Sequence, residues 1–473
     1  MKKSNLFNQL TTKLLTVFTL VVMLTMTIGC GDDDEPTPPQ LDDIVTLASG
    51  NGDLSILVEA LTKFPDLVTT LSGNGSFTVF APNDDAFTAL LSAIGQDDLD
   101  DIPEDVLRRV LEYHVIAGAA LRSTDLTDGQ TAATVLGENV TVGISGTTVT
   151  INSSQVVGAN VEADNGIVHV INSVLIPNLE GQIVGTIVAP AYFNKDFTTL
   201  IAAVNAADAD ILSVLLGNGP SGNGLTLFAP TNAAFEAAGI TTLPDAATLT
   251  AVLQYHVLDD EVTAMELPSG SATIESLNGD FYLSNNGANG VFINGTTEVT
   301  TTDVQGSNGV VHIIDRTLLP PSQTIAEIVT DLTNGTPAEF TQLLAAVART
   351  DGEATDLLAA ISNPGDLTVF APTDAAFQAL LDTNPDWDTV DDIEIGLLTA
   401  VLQHHVVGAR VFSTDLSDGM VGTLNQNITI DATNLQISDA AGSDPANINA
   451  SLVNILGTNG VIHVIDRVLL PAD

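Results

Sequence analysis

Apolar residues at steps of three and four mark the beginning of three similar stretches of the chain. In the first stretch they run from Ile44 to Leu61, and segments 197–204 and 340–347 repeat the pattern. Side chains with this spacing share one face of an α-helix. Each stretch is therefore predicted to begin with helices that bury one apolar face.

A strand-to-helix corner is predicted after each helical stretch. The ten-residue segment that encodes it occurs three times, at residues 78–87, 226–235 and 368–377. Its apolar first half predicts a strand that ends at Pro82, because proline has no N–H to give to a β-ladder. Asn83 is suited to cap the next helix, and Phe87 is placed one turn later, where it would be buried. The other two copies supply the equivalent structural residues: Pro230, Thr231, Phe235, Pro372, Thr373 and Phe377.

A second repeated motif predicts a helix with a histidine on its apolar face. Leu107, Val110, Leu111 and His114 stand at positions i, i+3, i+4 and i+7. Such a histidine is usually a core residue that holds a neighbouring loop through a ring hydrogen bond. Tyr113 precedes it and is expected at the side of the helix, partly exposed. The equivalent pairs are Tyr255 with His256 and His404 with His405.

The third repeated motif is an Asn-Gly pair followed by a long apolar run. Its first copy occupies residues 165–177 and contains His169. Asn-Gly favours a tight turn, and the apolar run is typical of a strand buried on both faces. A buried imidazole needs a hydrogen-bond partner but not a metal, so a structural role is favoured for His169. His312 and His463 occupy the same position in the other copies.

The spacing of the motifs organises the 473 residues into three domains. Each repeat has the length of a full globular domain, which can bury a core without disulfides or metal. The predicted domains cover residues 41–180, 181–322 and 323–473.

The chain is strongly acidic, with 12 Lys plus Arg against 59 Asp plus Glu and a formal net charge of −47. Such a surface repels nucleic acid and bare anionic lipid, so neither is expected as a partner. It favours solubility, and divalent cations could act as bridging counterions.

The first 40 residues resemble an export and anchoring segment. Lys2 and Lys3 precede an apolar run over residues 14–29, which predicts a signal peptide over residues 1–29. The alternative is a transmembrane anchor, but the run is short for a helix that crosses a bilayer. Cys30 is the only cysteine, and its context resembles a bacterial lipoprotein processing site. Cys30 is therefore the predicted lipidation site, and residues 30–40 form an acidic, proline-rich tether.

The sequence contains no recognised catalytic or cofactor motif. The Gly-x-Ser-x-Gly turn, phosphate loops, dinucleotide fingerprints and zinc-ligand spacings are all missing. No enzyme activity and no cofactor are therefore predicted. Bound calcium at Asp-rich turns such as 124–129 is the alternative, although no segment matches the twelve-residue calcium loop.

Taken together, the three motifs resemble the fasciclin (FAS1) domain family, in three tandem copies within a bacterial surface lipoprotein. This resemblance implies an α+β fold, in which each domain is a wedge-like β-sandwich with several packed helices. It also implies adhesion through an extracellular matrix or envelope protein or a polysaccharide, without catalysis. The family's adhesive segment falls on the Tyr-His pairs, which makes them candidate contacts: Tyr113, His114, Tyr255, His256, His404 and His405.

The predicted function is multivalent attachment at the cell surface by a secreted, lipid-anchored, monomeric array of three domains. The protein would contact the membrane only through its lipid, at the outer membrane or cell surface. The alternative is a carbohydrate-binding surface protein of a biofilm or polysaccharide layer. That function would need exposed aromatic platforms, for which Trp387 is the candidate.

Overall fold

The computed structural model describes residues 41–208, 210–287, 290–335, 338–351 and 356–472. The predicted signal peptide, Cys30 and the tether lie outside the described residues. Within the described part, three domains follow one another, and each combines α-helices with β-strands. The α+β class predicted from the sequence is confirmed.

The first domain places its helices before and after the first strand. The helices are α1 (Ile44–Ser49), α2 (Ser55–Thr62), α3 (Pro65–Ser72), α4 (Asp84–Ile94) and α5 (Glu104–Tyr113), with 3₁₀ turns at Gly52–Leu54 and Leu99–Asp101. The strands are β1 (Phe77–Pro82), β2 (Val115–Ala117), β3 (Thr131–Ala133), β4 (Asn139–Ser145), β5 (Thr148–Ile151), β6 (Ser154–Ala163) and β7 (Gly166–Ile171). Helix α6 (Asn178–Ile183) leads into the second domain, and the predicted boundary after residue 180 falls within it.

The second domain repeats this order. Its helices are α7 (Ala189–Tyr192), α8 (Thr198–Ala206), α9 (Asp210–Leu216), α10 (Asn232–Ala237) and α11 (Ala246–Tyr255), with a 3₁₀ turn at Lys195–Phe197. Its strands are β8 (Leu225–Pro230), β9 (Val257–Leu258), β10 (Gly270–Ser276), β11 (Gly279–Asn285), β12 (Val291–Ile293), β13 (Thr297–Gly306) and β14 (Gly309–Ile314).

The third domain keeps the order of elements but divides its strands between two sheets. Its helices are α12 (Ile325–Thr333), α13 (Thr341–Ala348), α14 (Leu357–Ser362), α15 (Asp374–Leu381) and α16 (Ile395–His404), with 3₁₀ turns at Val390–Asp392 and Ser413–Asp415. Its strands are β15 (Leu367–Pro372), β16 (Val406–Val407), β17 (Gly419–Gly422), β18 (Asn427–Asp431), β19 (Gln436–Ser438), β20 (Ala446–Asn447), β21 (Ile455–Gly457) and β22 (Gly460–Ile465).

A parallel pair of strands joins the two ends of each domain. Strand β1 pairs in parallel with β7, β8 with β14, and β15 with β22. In the described residues of the first two domains, the strands form seven-stranded sheets, in the orders β2-β1-β7-β6-β5-β4-β3 and β10-β11-β12-β13-β14-β8-β9. The closing motif therefore supplies an interior strand, which explains its unbroken apolar run.

The predicted strand-to-helix corner forms in all three domains. Strands β1, β8 and β15 end at the motif prolines. The side chain of Asn83 accepts a hydrogen bond from the N–H of Ala86 at 3.0 Å, and Thr231 and Thr373 cap their helices in the same way. Phe87 and its two counterparts are buried. The motif thus turns the chain from sheet to helix and anchors that turn in the core.

The asparagine of each Asn-Gly pair ties together three parts of its domain. Asn165 Oδ1 accepts the N–H of Ile44 at 3.0 Å, and Asn165 Nδ2 donates to the carbonyls of Leu71 and Gly73. Asn308 and Asn459 make the equivalent bonds in the other domains. Gly166 follows Asn165, and a Cβ there would lie against the carbonyl of Phe77.

Domains 1 and 2 pack apolar side chains against each other, whereas domain 3 packs its own apolar side chains separately. Buried side chains from the helices and from the strands that they cover in domains 1 and 2 form one continuous hydrophobic cluster, which extends from Ile44 to Val311. Domain 3 has two clusters of its own, one under its helices and one within its strands. Domains 1 and 2 thus share the core under their helices, and each also has a separate cluster within its strands. Among the described residues, domain 3 shares neither of its clusters.

Candidate functional site

The Tyr-His pairs lie inside each domain. His114, His256 and His405 are each about 2% exposed or less. The Nδ1–H of His114 donates to the carbonyl of Val110 at 2.7 Å, and its Nε2 accepts the N–H of Leu175 at 2.8 Å. The other two histidines repeat both bonds. Each ring therefore fastens the end of its helix to the segment after the closing strand.

Burial keeps these three imidazoles neutral. Removal from water lowers the pKa of His114, His256 and His405 to about 4, because the charged ring loses its hydration. The neutral ring suits the observed bonding, since one nitrogen donates while the other accepts.

The expected partial exposure of the tyrosines is wrong, because both are buried. Tyr113 donates from its hydroxyl to the carbonyl of Asn139 at 3.0 Å and accepts from Asn152 Nδ2. Tyr255 makes the matching bonds in domain 2, and burial raises its pKa to about 12. The periodicity of a single helix could not reveal this burial, because the covering strands are distant in sequence. Whether the Tyr-His segments contact a partner stays a prediction, and their six side chains are enclosed in this structure.

The third domain departs from the pattern at His404. This ring is buried, and Thr423 Oγ1 lies 3.4 Å from its Nδ1. Its Nε2 has no hydrogen-bond partner within the described residues. Burial lowers the pKa of His404, and the nearby charge of Asp439 partly offsets that shift. The tyrosine-to-histidine replacement thus leaves one polar atom unsatisfied in the core.

The histidines of the closing strands hold a loop in place. The Nε2–H of His169 donates to the carbonyl of Leu121 at 2.9 Å, and its Nδ1 lies 3.4 Å from the N–H of Asn160. Asn160 has a positive φ of 59°. His312 and His463 repeat this arrangement with Val262 and Val411. Their bonds are all to protein backbone, as a structural role requires.

The Asp-rich turn considered for calcium uses its carboxylates internally. Asp125 accepts the N–H of Arg122 at 2.9 Å, and Asp128 accepts that of Ile144 at 2.8 Å. No group of three or more His, Cys, Asp or Glu side chains placed to hold a metal occurs among the described residues. Calcium binding stays a prediction.

Trp387 does not form a flat platform on the surface. Its side chain is half-buried and packs against the core of domain 3. It lines a cleft of ≈ 210 Å³ together with Leu380, Leu397 and Pro471. The carbohydrate-binding alternative also stays a prediction.

Domains 1 and 2 are joined by a buried charge. Glu180 is fully buried, and its Oε1 accepts from Arg109 Nε at 2.8 Å and from the Tyr192 hydroxyl at 3.2 Å. Ala251 and Ala400 occupy the position of Arg109 in the other domains. This ion pair is therefore particular to the first junction.

Domains 2 and 3 meet around Tyr282. Its hydroxyl donates to Asp366 at 2.8 Å, and its ring lies 5.7 Å from that of Phe412. The guanidinium of Arg410 lies 4.6 Å from the centre of the Tyr282 ring and 3.0 Å from Asp366. Such a stacked and paired arrangement gives the junction a specific geometry.

Asp415 links the same two domains through hydroxyl groups. Its Oδ1 accepts from Ser271 at 2.7 Å and from Ser284 at 2.5 Å. The matching residue of domain 1, Asp125, occupies the same Ser-Thr-Asp sequence, but Arg122 stands there in place of Phe412. Asp415 thus stands at a position that domains 1 and 3 share, whereas its junction neighbour Phe412 stands at a position at which they differ.

Among the residues that the structure describes, no helix has both the length and the apolar content to cross a membrane. This finding leaves the predicted anchor at Cys30 untested, because Cys30 lies outside the described residues.

The comparisons with known proteins identify the repeated unit. The model of the fasciclin domain family matches residues 52–177, 195–320 and 338–471. Periostin from Homo sapiens is 28% identical over 407 residues, which cover 84% of this chain and 44% of periostin. Transforming growth factor-beta-induced protein ig-h3 from Oryctolagus cuniculus is 28% identical over 372 residues, covering 78% of this chain and 49% of that protein. The chain thus spans about half the length of these curated relatives.

A shorter relative and a solved structure resemble parts of the chain. Protein sll1483 from Synechocystis is 40% identical over 142 residues, covering 29% of this chain and 74% of that protein. The solved FAS1 domain pair from the insect cell adhesion molecule Fasciclin I is 19% identical, with a TM-score of 0.27, and the match covers 58% of this chain and 97% of that one. On the three family matches, the chain belongs to the fasciclin domain family, with three tandem domains.

Proposed function

We propose that this protein is a secreted, lipid-anchored adhesion protein of the cell surface. Its three non-catalytic fasciclin domains would attach a matrix or envelope protein or a polysaccharide through several contacts at once. Membership of the fasciclin domain family supports the adhesive role.

The main support for the proposal is that the residues shared by the three domains make their hydrogen bonds inside their own domain. The repeated histidines and asparagines bond to the backbone of their own domains. Several residues that differ between the repeats, among them Arg109, Tyr282 and Arg410, lie at the domain junctions. A partner would therefore be recognised through these variable surfaces, while the Tyr-His segments would support the loops from within.

Contacts between the domains favour multivalent attachment. The shared core and the Arg109–Glu180 pair connect domains 1 and 2, and the Tyr282 and Asp415 contacts connect domains 2 and 3. A fixed array holds the later sites close to a surface once the first site has bound. This raises their effective concentration and can increase the overall affinity by ~10²–10⁴.

The charge of the chain limits the kind of partner. A net charge of −47 opposes contact with nucleic acid and other polyanions. Basic proteins, neutral polysaccharides and surfaces bridged by divalent cations remain compatible with it. Attraction to basic proteins and to surfaces bridged by divalent cations would weaken with salt, because exposed charges are screened beyond ~10 Å at 0.1 M salt.

An attachment assay with intact cells tests the proposal. Cells that display the full chain should adhere to a surface coated with matrix from their own culture. Cells that secrete the Cys30→Ser protein should not adhere, although the purified protein should still bind the coated surface. Equal adhesion by cells that lack the protein would contradict the adhesive role.

A further inference from the structure

The sheet of domain 2 leaves a gap between its two edge strands, β9 and β10, which we call the seam. Strands β9 and β10 lie at opposite ends of the strand order, yet they are in contact with each other. The N–H of Leu277 donates to the carbonyl of Val257 at 2.9 Å and closes one end of the seam. Beyond this bond the strands separate and leave a groove of ≈ 630 Å³. Ligand-binding clefts are typically ~300–1,000 Å³.

One wall of the groove is built by a turn that is longer than its counterparts. Residues 217–224 replace the shorter turns found in the other domains. Ser221 donates its N–H to the carboxylate of Asp259 at 2.9 Å and its hydroxyl to the Asp259 carbonyl at 2.7 Å. Asn223 Nδ2 donates to Asp260 at 2.9 Å. These bonds hold the wall in place and give the Asp259 carbonyl a hydrogen-bond donor.

The other wall is the free edge of β10. Among the residues that the structure describes, strand β10 pairs with β11 on one side and with no strand on the other. Ser271, near its start, binds Asp415 of domain 3, and Leu277, just after its end, closes the seam. Residues 273–276 lie between these two contacts and line the groove. An edge strand presents unpaired N–H and C=O groups, which can pair with an added strand.

The groove carries charge of a single sign. All of its ionisable lining residues are acidic: Asp259, Asp260 and Glu275. Glu275 and Asp260 are exposed, so both carboxylates can face an incoming cation. Side chains of an added strand alternate in direction, so basic residues at every second position could all face this acidic side.

We propose that domain 2 binds an extended, basic peptide segment of a partner protein, which adds as a strand to β10. The segment would pair with the backbone of residues 273–276 and direct Lys or Arg side chains toward Glu275 and Asp260. This chain is a poor source of such a segment, since it has only 12 Lys plus Arg and its tether is acidic. The proposal holds whether or not the protein is anchored or multivalent.

Calorimetric titration with defined peptides tests the proposal. The probe is a capped ten-residue peptide that alternates lysine and valine, titrated into residues 31–473 at low salt. A peptide that alternates glutamate and valine tests whether binding requires positive charge on the peptide. A lysine-valine peptide methylated on alternate backbone nitrogens tests the strand pairing, because methylation removes N–H donors and leaves the charge unchanged. We expect the unmodified lysine peptide to bind, and the other two to bind at least ~10-fold more weakly.

Matched variants and hydrogen exchange locate the site. Glu275→Lys should weaken binding at least ~10-fold. Glu236→Lys makes the same charge change at an exposed position on α10, outside the groove, and should leave binding within about twofold. In the unaltered protein, bound peptide should slow amide exchange in β10. The proposal is overturned if the peptide does not bind, if the methylated peptide binds equally well, if both variants weaken binding equally, or if exchange in β10 is unchanged.

Discussion

The imidazole Nε2 of His405 accepts a hydrogen bond from the backbone N–H of Leu469 at a distance of 2.8 Å. The opposite nitrogen donates to Val401 one turn back in the same helix. The end of helix α16 and the segment after the closing strand are thus held together by one neutral ring. The same relationship occurs in the other two domains, which makes it a structural element of the fold.

Acid should destabilise domain 3 through His405. Its folded pKa is about 4, whereas an unfolded histidine has a pKa of ~6.5. The folded ring therefore binds fewer protons, so its contribution to stability is complete above pH 6.5 and is lost as the pH falls from 6.5 to 4. At pH 5 the loss should be ~2 kcal/mol.

Urea unfolding followed by tryptophan fluorescence measures this effect in domain 3. Trp387 is the only tryptophan and packs against the core of that domain. Between pH 7 and pH 5, the free energy of unfolding should fall further in the unaltered protein than in His405→Gln, which lacks the titrating ring. His404 and Asp439, whose charges act on His405, are present in both proteins, so the difference reports the loss of the His405 ring together with its interactions with these two groups. The same pH dependence in both would show that His405 is not responsible.

Replacing a bridging asparagine should lower the free energy of unfolding more than most other substitutions in the fold. Asn459 bonds to the N–H of Ile325 and to the carbonyls of Ile361 and Asn363. Asn459→Ala leaves these three backbone groups unpaired, and a buried unpaired group costs ~1–3 kcal/mol. Domain 3 should therefore lose at least ~3 kcal/mol in the fluorescence assay.

An exposed asparagine provides the control for that substitution. Asn425 donates one hydrogen bond to the carbonyl of Ala400, and Asn425→Ala should cost ~1 kcal/mol or less. Similar losses from the two variants would argue against the bridging role of Asn459.

The sequence predicted the local elements well because their signals are local. The proline that ends β1 and the Asn83 cap lie next to the structures that they determine. The bridge made by Asn165 was missed, because the Asn-Gly pair indicates a turn and says nothing about Ile44, 121 residues away. Contacts of Tyr282 with domain 3 were missed for the same reason, since the position of a neighbouring domain is not encoded in the periodicity of a strand.

The junction between domains 2 and 3 should depend on Asp415. Asp415→Ala removes the acceptor of two serine hydroxyls from domain 2, so the angle between the domains should vary more widely. Asp125→Ala is the matched control, because Asp125 makes the same local contact with its own loop. Small-angle X-ray scattering should show a larger radius of gyration for the Asp415 variant alone. Identical scattering from the two variants would refute a role for Asp415 in the junction.

Lipid attachment should depend on Cys30. Metabolic labelling with a fatty acid should mark the unaltered protein and not Cys30→Ser, because the proposed modification needs the cysteine thiol. The variant should also leave the membrane fraction or keep its signal peptide. Fatty-acid labelling that persists in Cys30→Ser would contradict the anchoring proposal.

Multivalent attachment is tested most directly by comparing two lengths of the chain on one surface. Residues 31–473 and residues 31–322 are compared, since domain 3 has its own core and can be removed without opening that of domains 1 and 2. Dissociation from a surface coated with culture matrix is followed by biolayer interferometry at high and low coating density. On the dense coating, the full chain should dissociate at least ~10-fold more slowly than the shorter chain, and the difference should shrink on the sparse coating. Equal dissociation rates at both densities would contradict multivalent attachment.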